Sequence, residues 1–175
     1  MEQGGYDYHT GTRAPGETRD FRAGQCIGAA LEYAARLQTP IMVYVFSDGS
    51  VASNGNITDG GDPDSHGKPQ WTGDNSSTAA TFFLVYNPTA RPTLMGSTAA
   101  EQANSQQLGY FRTSGSVETN GTTPGANNVN LLVEMVVLNY LALHGRADDF
   151  ETLFPTHGLG DPTQFDRWIA FGAIR

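Results

Sequence analysis

A single cysteine, Cys26, stands in a chain of 175 residues, which excludes an intrachain disulfide and any metal site built from several thiolates. Cys26 lies among Ala23, Gly24 and Gly28 in a stretch that reads as helix, so the expectation is a buried, inert thiol. Charge is also scarce. Only 16% of residues are Asp, Glu, Lys or Arg, and the 10 basic residues are scattered without a run. With 18 acidic residues the net charge is −8, which argues against nucleic acid as a main partner, because phosphate contacts need clustered Lys and Arg. No long hydrophobic run exists. The longest apolar region, Val129 to Leu143, is interrupted by Glu134 and Asn139 and is too short to span a bilayer. No signal-peptide pattern is visible, and neither a G-x-S-x-G elbow nor a phosphate-binding P-loop occurs.

Ser, Thr, Asn and Gln fill the place of the missing charges, a texture of long uncharged polar loops that points to a periplasmic or secreted protein. Hydrophobic residues make up 38%, and the 21 glycines bring the apolar share to about half, ordinary for one globular domain spanning 1–175. Three N-x-[ST] triplets, at Asn56, Asn75 and Asn120, fit surface segments.

The organising stretch is Ile41-Met42-Val43-Tyr44-Val45-Phe46, followed at once by Ser47-Asp48-Gly49-Ser50. Six consecutive apolar residues rich in β-branched and aromatic types predict a strand buried on both faces. A helix is expected before it, over Glu17 to Gln38, with Glu17 and Asp20 in its first turn and Arg36 in its last. Helix then buried strand implies an α/β fold, a mostly parallel sheet flanked by helices in three layers. Ligands of such sheets bind beyond the carboxyl ends of the strands, where Asp48 would stand. Val43 and Val45 on one face, and Met42 and Tyr44 on the other, should all be buried.

Beyond this strand, Ser47 to Thr78 reads as one long loop, and Ala79 to Tyr86 as a second buried strand ended by Asn87-Pro88. Leu108 to Phe111 and Val117 to Thr119 flank a Thr-Ser-Gly-Ser turn and predict a small hairpin. Asn127 or Asn128 caps a buried helix running to about His144, stopped by Gly145. Pro162 to Phe171 predicts a short last helix with Phe165, Trp168 and Ile169 inward.

Metal chemistry is the leading candidate. Asp7 and His9, one residue apart in a glycine-bounded loop, combine carboxylate and imidazole, a set that suits zinc, manganese or iron. Further ligands must come from elsewhere in the fold, and Asp48 and Asp74 are the natural ones, with Ser47 and Asn75 beside them as secondary candidates. Asp62, Asp64 and His66 imitate the opening of a calcium loop. Its twelfth position falls on Gly73 where a bidentate Glu is needed, so an EF-hand is excluded and only a weak calcium site is left. His144 and His157 read as a helix end and a solvated loop residue.

Gly5-Tyr6-Asp7-Tyr8-His9 resembles the G-W-D-T-H motif of an uncharacterised bacterial branch of the alkaline-phosphatase-like superfamily. In that branch a helix, a hydrophobic strand ending in S-E-F-G and a loop carrying T-D-H-G follow. Here the strand ends in Phe46-Ser47-Asp48-Gly49 and the loop offers Gly73-Asp74-Asn75-Ser76. The order agrees over Gly4 to Tyr86, about half the chain. The resemblance implies an alkaline-phosphatase-like three-layer fold and two metal ions held by Asp7, His9, Asp48 and Asp74. It also implies a small phosphate or sulfate ester as substrate. Two imidazoles of the pattern are absent, since Asn75 and Gly49 stand in their places. The superfamily's Ser or Thr nucleophile belongs to an N-terminal half that has no counterpart here. The resemblance therefore implies the C-terminal half of such a domain, or a shortened form, working as a homo-oligomer or with the remainder of its parent protein. The alternative is a non-catalytic exported protein that assembles through its sheet edge and polar loops.

Overall fold

The computed structural model describes residues 1–6, 13–46, 50–57, 69–75, 81–105 and 128–174; at 13, 50–57, 69–75, 81 and 129 it describes the backbone alone. Helix α1 spans Arg13–Arg36 and leads into strand β1, Ile41–Phe46. Strands β2 (Ser50–Ile57), β3 (Pro69–Asn75) and β4 (Thr81–Tyr86) follow, then helices α2 (Ala99–Ser105), α3 (Val129–Leu143) and α4 (Phe150–Leu153). A 310 turn at Ala147–Asp149 precedes α4, and a six-residue 310 segment, Pro162–Arg167, follows later in the chain. The chain divides into two compact units, one of Met1–Leu84 with Phe111–Val117, the other of Val85–Tyr110 with Glu118–Arg175.

The expected three-layer fold with one mostly parallel sheet is not what the chain forms. β1 pairs only with β4, and β2 pairs antiparallel with β3, giving two separate two-stranded sheets among the described residues. The reason the inference failed lies in burial. Ile41 to Val45 are each half-buried and Phe46 is 66% exposed, so the apolar run is not sandwiched between layers. Met42, Val43, Tyr44 and Val45, expected to be fully buried, are none of them so. An apolar run reports what a strand can bury, whereas full burial needs neighbours on both faces. The expected loop from Ser47 to Thr78 holds the β2–β3 ribbon, which its Gly, Ser and Asn content concealed. That ribbon is irregular, with register shifts between Ala52 and Ser53 and between Ser53 and Ile57. The expected hairpin at Leu108 to Thr119 lies outside the described residues.

In the first unit, α1 starts four residues earlier than Glu17 and turns sharply at its end. The Gln38 N–H donates to the Ala35 carbonyl at 3.1 Å and the Thr39 N–H to Ala34 at 3.0 Å, a Schellman closure with Gln38 in the left-handed region at φ 52°. Ala34 is the one buried hydrophobic residue of this unit among those described.

The second unit has a true core, built on α3. Asn128 caps it by accepting the Leu131 N–H at 3.1 Å, and Gly145, at φ 66°, stops it. Leu132, Met135, Val136, Leu138, Leu141, Ala142 and Leu143 are buried together with Phe150, Leu159, Phe165, Ile169 and Ala170. The final helix is shorter than expected, a 310 turn over Pro162–Arg167, with Phe165 and Ile169 buried and Trp168 partly so. Its start is held by Asp161, whose carboxylate accepts the Thr163 N–H at 2.9 Å. Residues 170–174 then run beside two other elements. The Met95 N–H donates to Ala170, the Gly172 N–H to Thr93 and the Ile174 N–H to Leu143, each at 2.9 Å.

The pin for this segment is Asn139, 2% exposed. Its Nδ2 donates to the Trp168 carbonyl at 2.6 Å and to the Met135 carbonyl at 2.8 Å, and its Oδ1 accepts the Ala170 N–H at 2.8 Å. A buried amide is tolerated in an apolar helix because its donors and its acceptor are used. No helix among the described residues is long and apolar enough to cross a membrane.

Candidate functional site

The stretch leading to Asp7 and His9 rests on α1. The Gln3 amide donates to the Arg19 carbonyl at 3.1 Å, and the Arg19 guanidinium lies flat over Gly5. A Cβ at Gly5 would come within 3.3 Å of Arg19 Nη2, and Gly5 has φ 80°, so both space and backbone favour glycine there. Burial pushes the Tyr6 phenol above its ordinary value; Asp20 adds to the rise and Arg19 opposes it. Asp7 and His9 themselves lie outside the described residues, as do Ser47, Asp48, Asp62, Asp64 and His66.

Asp74 and Asn75 are the last two residues of β3. Antiparallel pairing sets Val51 opposite Asp74 and Ser50 opposite Asn75. Ser50 follows Asp48 by two residues in the sequence. The start of β2 and the end of β3, some 25 residues apart along the chain, thus meet at one end of the ribbon, a closeness that antiparallel register alone produces. Among the described residues no three His, Cys, Asp or Glu side chains cluster as a metal site.

Cys26 is half-buried rather than sealed in a core, and it lines an open hollow along α1 with Met1, Gln3, Arg22, Gln25 and Ala29. His144 ends α3, as expected, its N–H donating to the Leu141 carbonyl at 3.0 Å and its ring edge-on to Tyr140. His157 is not the solvated loop residue the sequence implied. Its side chain is 8% exposed and packs against both Phe150 and Phe165, at centroid distances of 5.1 and 5.4 Å, the two phenylalanines also meeting edge-on at 5.4 Å. Nδ1 accepts the Leu159 N–H at 3.2 Å and Nε2 lies 3.9 Å from Glu151 Oε1. The Nδ1 acceptor role requires the Nε2–H tautomer when the ring is neutral. The only sequence signal for this role was the cluster of aromatic residues on either side of the loop.

Glu134, which interrupts the apolar face of α3, accepts the Gly158 N–H at 2.9 Å and so holds the same loop. These contacts make the His157 surroundings a packing arrangement. The Trp168 indole N–H is buried without an acceptor among the described residues.

No family model matches this chain, and neither a curated protein nor a solved structure matches it.

Proposed function

We propose that this chain is the metal-binding part of a hydrolase for phosphate or sulfate esters, in shortened form, with Asp7, His9, Asp48 and Asp74 as the ligands. The observation that supports this reading is the ribbon register. Ser50, two residues after Asp48 in the sequence, lies opposite Asn75, and Val51 lies opposite Asp74. Carboxylates with an imidazole suit zinc, manganese or iron better than calcium, which prefers an all-oxygen shell. A bound ion would polarise the ester and favour an oxygen nucleophile. In this reading the chain's own residues hold the ion and orient the ester.

Elemental analysis of the purified chain, loaded with zinc, manganese or iron and dialysed, tests this directly. Stoichiometric metal is expected in the wild type, with loss in Asp48→Ala and in Asp74→Ala. A chain that retains no ion after loading overturns the proposal.

A second reading, a non-catalytic exported protein that works by assembly, draws on a different observation. Phe46, Phe82 and Leu84, on β1 and β4, are 66%, 49% and 38% exposed, and Phe21 and Tyr33 of α1, with Leu37 just after it, are more than half exposed. Two-stranded sheets are marginal without further cover, so a homo-oligomer or a larger parent would stabilise this unit. Sedimentation at micromolar concentration distinguishes the cases: a stable monomer of about 19 kDa argues against assembly.

A further inference from the structure

We draw no further inference here: the strongest candidate, the exposed apolar side chains Phe46, Phe82 and Leu84 on the β1–β4 sheet, carries none because nothing in the structure shows what covers them.

Discussion

Replacing Asn139 by leucine keeps the branched outline of the side chain, with a larger volume, and removes three hydrogen bonds, to Met135, Trp168 and Ala170. Two main-chain groups then lose their partner, the Trp168 carbonyl and the Ala170 N–H, and Ala170 is only 1% exposed. An unsatisfied buried group costs about 1–3 kcal/mol, and leucine recovers part of that through apolar burial. The expected net loss is about 2–4 kcal/mol, a large share of a small unit's stability. Equilibrium unfolding in urea, followed by tryptophan fluorescence, measures it, since Trp168 lies in the pinned segment. Val133→Ala serves as the control: Val133 is 45% exposed on the same helix, so its loss should stay within about 1 kcal/mol. Hydrogen exchange gives an independent reading. The Ala170 amide should be strongly protected in the wild type and exchange much faster in Asn139→Leu. A leucine variant as stable as the wild type, with Ala170 still protected, would refute the view that this amide anchors the C-terminal segment.

Other outcomes follow from the same contacts. Gly158→Ala should destabilise by no more than about 1 kcal/mol, because an added Cβ collides only with Leu131 Cδ2, the movable end of a side chain; combining it with Leu131→Ala should cost less than the two separate losses added together, as a double-mutant cycle would reveal. Gln38→Gly should raise the stability of the first unit by about 0.5–1 kcal/mol, read from the thermal midpoint, since it relieves a left-handed residue at the end of α1. The Glu101 carboxyl is held below its ordinary value by hydrogen bonds from Ser97 first and then Thr98. Its contribution to the start of α2 is therefore complete above the unfolded carboxylate range, near pH 4.3, and is lost as pH falls through the lowered folded value. The protection of the Ser97 and Thr98 amides, relative to their intrinsic exchange rates, should fall in that acid window, and Glu101→Gln should remove that change.

Local chemistry made much of this chain legible without coordinates. Asn128, a run of apolar residues and Gly145 mark the limits of α3, because capping and the left-handed stop act over one helical turn. Thr39-Pro40 and Asn87-Pro88 bracket β1 and β4 for the same local reason. Helix α2 carries its own local signal as well: Thr98-x-x-Glu101 is a capping box, with the Glu101 N–H donating to Thr98 Oγ1 at 3.2 Å and the Thr98 N–H to Glu101 Oε2 at 3.0 Å.

Sheet architecture was not legible, because pairing depends on partners distant in sequence. The apolar runs of β1 and β4 could have sat at the centre of a parallel sheet, yet among the described residues each has one strand neighbour, and Phe46, Phe82 and Leu84 are left exposed. Register was equally hidden. Nothing in the composition of 50–57 and 69–75 announces that Ser50 meets Asn75, since their Gly, Ser and Asn residues are poor strand formers held by cross-strand bonds. The candidate ligands were chosen from residue type and order, and only Asp74 and Asn75 fall within described backbone. Asn139 and His157 mark the remaining divide. In the sequence they are a polar interruption and a loop histidine, and it is packing that turns one into the anchor of the C-terminal segment and the other into a member of a three-ring cluster with Phe150 and Phe165. Their roles arise from groups some 7 to 31 residues away, which only the folded chain brings within hydrogen-bonding or ring-contact distance.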